Sequence, residues 1–356
     1  MTTARIDTHA HYYGETLFRR LAARQAVPRV ERLGGDRFMV TSTSRFVLSG
    51  GFIDISTRLA WMERQGIGHQ LITFPGALGP DVLPPNEAVP LVRDVNDELA
   101  AVCNVYPEKF TALAGLPLAD VDLAVTELER ACSALGLRGA IIPGNYFSSL
   151  VKMERLRPVL AAADALHAHL MVHPGHRHDE DLAPRRYDDL TMHRASTIDL
   201  HADITHAVVT LIHSDVAQHY PNLSIQVVNL GGAFPMLVER MDHVAATRDP
   251  TAPRPSTLVG QLVFDTASLG PHSLELAVAV LGAERIMLGT DYPIFDSTTA
   301  SDALATASIP ETARAAVAAA NALRVLKLSS TTPPPSGPQV GADAGHAAST
   351  SGPSAR

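Results

Sequence analysis

The chain has 356 residues, 46% hydrophobic and 19% charged, a balance that suits a globular enzyme with a large core. Its net charge of −8 argues against a nucleic-acid partner or an anionic membrane surface, since either would want a basic face. No apolar run approaches the ~20 residues needed to cross a bilayer, and the opening MTTARID holds no apolar signal core. Cys103 and Cys132 each fall on an apolar helical stripe, so both read as reduced core thiols and the chain as cytoplasmic.

In chain order, short apolar strands alternate with longer helical segments. Arg5–Asp7 is the first strand, and Thr8-His9-Ala10-His11 follows it. Residues 12–56 read as an insertion. The second strand is His69–Thr73; a Gly/Pro loop, Gly76–Pro85, leads to a helix over Asn86–Tyr106 with Leu91, Val95, Leu99, Val102 and Tyr106 on one face. Pro107 ends it. Thr111–Leu116 is the third strand, and Val121–Leu135 is a helix capped by Asp120. Strand Gly139–Ile142, helix Glu154–Leu166, strand His169–His173, a long loop over 174–195 and helix Ser196–Tyr220 come next. Strand Ser224–Val228 runs into Asn229-Leu230-Gly231-Gly232 and a helix over Pro235–Ala246. Strand Gln261–Asp265, helix His272–Leu281, strand Ile286–Leu288 and helix Pro310–Leu328 complete the pattern. Beyond Leu328 the chain is Pro-, Ser-, Gly- and Ala-rich, with Val340 as its only sizeable aliphatic residue, and reads as a disordered tail over 329–356.

Eight strands alternating with helices suggest one α/β domain over 1–328, a single (β/α)8 barrel, with a doubly wound sheet as the alternative. A doubly wound sheet would want a Gly-rich phosphate turn after the first strand, where this chain has His-Ala-His. In a barrel, active sites form at the C-terminal strand ends. The chain has three His-x-His pairs, at 9/11, 167/169 and 176/178, and only the first lies at such an end. His173 closes the fifth strand, and Gly289-Thr290-Asp291-Tyr292-Pro293 follows the eighth. Strands one, five and eight can therefore aim His9, His11, His173 and Asp291 into one barrel mouth. Three imidazoles and a carboxylate suit one divalent ion, Zn²⁺ first, with Mn²⁺ or Fe²⁺ as alternatives. The fourth strand ends without a Lys that could bridge two metals. Asp265, at the tip of the seventh, is placed either to orient a histidine ligand or to make a turn.

Taken together, IDTHAH (6–11), YPEKFTALAGLP (106–117), MVHPG (171–175), LGGAFPMLVER (230–240) and LGTDYP (288–293) resemble the amidohydrolase superfamily over about residues 4–328. The resemblance is to its amidohydrolase-related branch, which holds aminocarboxymuconate-semialdehyde, resorcylate and methylsalicylate decarboxylases. It implies a metal-dependent barrel enzyme that releases CO2 from a small unsaturated or aromatic carboxylic acid. It also implies His9, His11, His173 and Asp291 as ligands. Arg240 matches a family arginine that reaches a neighbouring subunit's substrate carboxylate, hence a homodimer; the plain alternative is an exposed helix arginine. Arg45 matches a second carboxylate-binding arginine.

One position departs from the pattern. The branch usually has a His where this chain has Asn229, and an amide cannot act as a general base. Three readings stay open. Asp291 moves the proton, with Asn229 holding water or an oxyanion. A loop histidine (His176, His178 or His193) serves instead. Or the chain binds its ligand with little turnover. A hydrolase of an ester, lactone or amide in the same barrel is the alternative reaction.

Overall fold

Each of the eight expected strands is present in the computed structural model, which describes residues 4–41, 45–74, 81, 83–180, 190, 193–295 and 298–328. β1 (Arg5–His11) is followed by a small antiparallel sheet of β2 (Arg29–Leu33), β3 (Asp36–Val40) and β4 (Arg45–Val47). β5 (Ile67–Thr73) pairs in parallel with β1 and with β6 (Phe110–Leu113). A second parallel sheet runs β7 (Gly139–Pro143), β8 (His169–His173), β9 (Ser224–Val227), β10 (Leu262–Asp265) and β11 (Ile286–Met287). These strands are short apolar runs buried on both faces, as parallel strands under helices must be.

Two seams join the parallel sheets. On one side Ala114 bridges to Ala140, with Ala114 N–H donating to the Gly139 carbonyl at 2.9 Å. On the other, Ala10 bridges to Tyr292; Thr8 N–H donates to the Leu288 carbonyl and His11 N–H to the Tyr292 carbonyl, at 2.8 and 2.7 Å. The second seam brings Asp291 beside the histidines of β1.

The helices form where apolar periodicity and caps coincide. Asp54 accepts from the N–H groups of Ser56 and Thr57 and starts helix Ile55–Gln65; Gly66, at φ +65°, ends it. Pro85–Val105 buries Leu91, Val95 and Leu99 on the expected face. Cys103 and Cys132 are free and half-buried, and burial pushes their thiols up to about 12 and about 11, so they stay inert.

Several segments differ from the sequence reading. Residues 12–56, read only as an insertion, hold helix Gly14–Ala22 and the antiparallel sheet. Ser196–Tyr220 is not one helix. A π-helix over Arg194–Asp199 leads into Leu200–His213, and Ser214 breaks it before Val216–His219. The break has a local cause: Ser214 is extended, and its hydroxyl donates to the Leu211 carbonyl while accepting from Val216 N–H. A helix over Thr299–Thr306 follows the Asp291 turn and was not anticipated. The tail at 329–356, and most of the 76–85 and 181–192 loops, lie outside the described residues.

Candidate metal centre

His9 and His11 are two apart on β1, so both side chains leave the strand on one side. His173 is the last residue of β8. Asp291 sits in the turn after β11 in the left-handed region, at φ +58°, a conformation that Asp tolerates better than most residues. The three imidazole rings meet edge to face with centroids 4.9–5.3 Å apart. Asp291 Oδ1 lies 3.0 Å from His11 Nε2 and 3.5 Å from His9 Nε2. One ligand atom from each of the four residues falls within 4.8 Å of all the others. Ligand atoms bound about 2.0–2.1 Å from one tetrahedral ion lie roughly 3.3 Å apart, so a small contraction suffices. Gly289 permits this crowding, because a Cβ there would come within 2.8 Å of the Cβ atoms of His9 and Asp265.

Every outward ring nitrogen is taken. His9 Nδ1 bonds Asp265 Oδ2 at 3.1 Å, His11 Nδ1 bonds Thr73 Oγ1 at 2.8 Å, and His173 Nδ1 bonds the Pro174 carbonyl at 2.9 Å. The Thr73 hydroxyl spends its own proton on the Ala10 carbonyl, so it must accept from His11. Carboxylate and carbonyl oxygens accept likewise, so each Nδ1 carries the hydrogen and each Nε2 offers its lone pair inward. His9 Nε2 and Asp291 Oδ1 are buried with no hydrogen-bond partner. Unpaired buried polar atoms are costly, and a cation between them removes the penalty. The donor set therefore fits one divalent ion.

The charges agree. Burial lowers His9, yet Asp265, Asp291 and Asp7 outweigh it and raise its pKa to about 9: a proton stands in where positive charge belongs. Burial, with His9 and Arg58 nearby, holds His11 well below the usual histidine range. Burial, with His11 and His9, takes His173 down to about 3. Both are thus neutral, as metal ligands must be. Burial raises Asp291, against the pull of His9 and His173.

A second buried network supports β1 and was not anticipated. Asp7 accepts from the N–H groups of His9 and Thr290, from Thr290 Oγ1 and from Gln70 Nε2. Gln70 Oε1 accepts from Arg58 at 2.6 Å, and the fully buried Arg58 also donates to the carbonyls of His11 and Gly51. Its guanidinium lies 4.9 Å from the Tyr292 ring centre, and Trp61 stacks on Tyr292 at 3.8 Å. Trp61 thereby packs against the turn that carries Asp291. The one signal in the sequence was a charge inside the apolar stripe of Arg58, Trp61 and Met62.

The remaining candidates lie apart from this centre or face it differently. Asn229 is buried at φ +56°; its N–H donates to Asp265 Oδ1 at 3.1 Å and its carbonyl accepts from Ser268. Among the described residues its side-chain amide enters no hydrogen bond. The Gly pair after it is needed sterically, since a Cβ on Gly232, at φ +68°, would come within 2.2 Å of the His201 carbonyl. Arg240 is exposed on helix Phe234–Arg248 and makes no ion pair among the described residues. Arg45 lies exposed on β4, 3.4 Å from Glu31 and over the Phe38 ring. His176 pairs with Glu180, His178 with the Tyr146 hydroxyl, and His193 is exposed. Asp265, left open between two roles, does bond His9.

The amidohydrolase family profile matches residues 6–328. A gamma-resorcylate decarboxylase from a Rhizobium species is 28% identical over 287 residues, covering 76% of this chain and 86% of that protein. A 2-amino-3-carboxymuconate-6-semialdehyde decarboxylase from Dictyostelium discoideum is 25% identical, covering 67% of each. Among solved structures, a dihydroxybenzoic acid decarboxylase from a Polaromonas species, with bound manganese and 2-nitroresorcinol as inhibitor, superposes with a TM-score of 0.69. Its identity is 21%, with 92% of this chain and 97% of that one covered.

Proposed function

The chain belongs to the amidohydrolase family, and from that premise we propose that it is a metal-dependent, non-oxidative decarboxylase of a small unsaturated or aromatic carboxylic acid. The observation that carries the reading is the cluster of His9, His11, His173 and Asp291, whose ligand atoms, one from each residue, lie within 4.8 Å of one another. The two sheet seams support reading the strands as one closed (β/α)8 barrel with its mouth at this point. The ion is Zn²⁺ or Mn²⁺, with Fe²⁺ as a third choice; three histidines suit zinc, and the Polaromonas enzyme carries manganese.

One divalent ion held by these four residues would supply Lewis-acid polarisation to an oxygen of the bound acid. The chain's own residues do the rest. Loss of CO2 leaves an electron pair on carbon, and a proton must reach that carbon. Among the described residues, Asp291 is the one carboxylate in the cluster where the acid would bind, and it can take up and deliver that proton. Asn229 donates or accepts a hydrogen bond and orients what binds, but carries no proton. Arg240, from a second copy in a homodimer, and Arg45 hold carboxylate groups. The reading is of a cytoplasmic enzyme with a small carboxylate substrate and no nucleic-acid partner.

Asn229 favours a second reading, hydrolysis of an ester, lactone or amide, in which no carbon needs a proton. Purified protein should hold about one divalent ion per chain and release CO2 from one or more members of a panel of hydroxybenzoates and muconate-type acids. Turnover of lactones or aryl esters without CO2 release would give the hydrolase. Bound metal with neither activity would leave a small-molecule binder.

A further inference from the structure

Gln226 and His169 lie in the barrel strands that flank the metal centre, and neither touches it. Both are buried, on β9 and β8, and no step of the proposed reaction uses them. Gln226 Nε2 donates to Asp265 Oδ2 at 2.7 Å and to the Thr8 carbonyl at 3.2 Å. His169 Nε2 lies 3.0 Å from Gln226 Oε1, and its Nδ1 lies 3.0 Å from Ser224 Oγ. Asp265 Oδ2 in turn receives His9 Nδ1.

The direction of every bond in this row is fixed by chemistry. The carboxylate of Asp265 and the carbonyl of Thr8 only accept, so the amide of Gln226 must turn its NH2 to them; the reverse would set three acceptor oxygens face to face. Its Oε1 then points at His169, which must donate from Nε2 and accept the Ser224 hydroxyl at Nδ1. Burial takes His169 down to about 4, so it stays a neutral donor across the physiological range. We propose that His169, Gln226 and Asp265 form one hydrogen-bonded chain that fixes the ring of His9 and thereby sets how tightly the centre holds its ion. Asp265 touches the ligand; Gln226 and His169 are positioning residues that act through it.

The inference rests on the metal-centre reading and is independent of the reaction catalysed. It is tested by titrating Mn²⁺ into chelator-treated full-length protein, with no substrate present. Gln226→Met keeps the volume and removes both donors, and Mn²⁺ affinity should fall about 10–100-fold, the usual range for partners behind a metal ligand. His169→Leu should weaken binding in the same direction. His169→Gln puts an NH2 near the position of Nε2, and should restore affinity to within about threefold of wild type, as a purely structural role for the ring would not. Should Gln226→Met fail to fold, the two His169 variants carry the test. Affinities of Gln226→Met and His169→Leu equal to wild type, or His169→Gln as weak as His169→Leu, would overturn the chain. A wild-type protein that binds no Mn²⁺ or Zn²⁺ would overturn the metal centre itself, which is a separate result.

Discussion

Around His9, His11 and His173, each outward nitrogen has a partner, and two of those partners, Asp265 and Thr73, are fully buried and held by bonds of their own. The residues assigned to substrate are held loosely by comparison. Asn229 has a fixed backbone and an amide with no partner among the described residues; Arg240 projects from an exposed helix face; Arg45 is occupied by Glu31 and Phe38 on a small peripheral sheet. Ion binding is therefore built into a single chain before anything arrives, which is what a tight metal site requires. On the proposed reading, carboxylate binding would be completed by the substrate or by a second copy of the chain.

The sharpest way to break this contrast is at Asn229. If the loose side lacks only a proton carrier, Asn229→His should raise CO2 release by roughly 10²-fold, within the range that a positioned acid–base group supplies. Its metal content should not change, because no ligand is altered. The left-handed backbone at 229 accepts His as one of the few non-glycine residues enriched there. Unchanged CO2 release would mean that Asp291 or another route already moves the proton, and that the loose side is complete as it stands.

The tight side is also the side most legible in the sequence, for a physical reason. Its ligands follow short apolar strands that Gly and Pro bound, so strand order alone assigns them to one mouth. Of the supporting residues, Asp265 was legible from its place at a strand tip, and those behind it were not. Gln226 and His169 meet across neighbouring strands through register, and Arg58 reaches the His11 carbonyl 47 residues earlier in the chain. Composition and spacing hold no trace of such pairings. The small antiparallel sheet is a different kind of miss. Leu33-Gly34-Gly35-Asp36 carries a Gly pair with φ of +59° and +94° between two strands, a hairpin signal that was present to be read. The break at Ser214 needed a side-chain bond to its own helix that apolar periodicity does not report.

The tight side makes a further prediction when its ion is removed. His9, raised to about 9, binds a proton more strongly folded than unfolded, where its value is 6.5. That stabilisation is fully present below pH 6.5 and is lost as pH rises through 9. His173, lowered to about 3, works the other way: the unfolded chain takes up a proton below 6.5 that the folded one refuses, so stability falls as pH drops from 6.5 towards 3. From His9 alone, chelator-treated protein should lose roughly 3 kcal/mol at most between pH 6.5 and 9. Mn²⁺ displaces the proton, so its affinity should rise over the same interval. Denaturant midpoints at a series of pH values, with and without Mn²⁺, read both. A flat profile without metal between pH 6.5 and 9 would mean that His9 is not held between Asp265 and Asp291 as described.

The loose side offers the smallest expected effect and the most specific one. Arg240→Ala should raise KM about 10-fold with a smaller change in kcat, the size expected for one charge-assisted contact to a carboxylate. Arg45→Ala should do less, because the side chain must first leave Glu31 and Phe38. The informative experiment mixes two impaired proteins. His9→Ala lacks a metal ligand but keeps Arg240; Arg240→Ala keeps the metal ligands. If Arg240 serves its neighbour's site, a hybrid dimer contains one complete site. Random reassortment then restores about a quarter of wild-type sites with normal KM, since half of the dimers are hybrids and each has one such site. If Arg240 serves its own site, or only the exposed face of its helix, mixing restores nothing. The carboxylate would then have to be held within one chain, by groups other than a neighbour's Arg240.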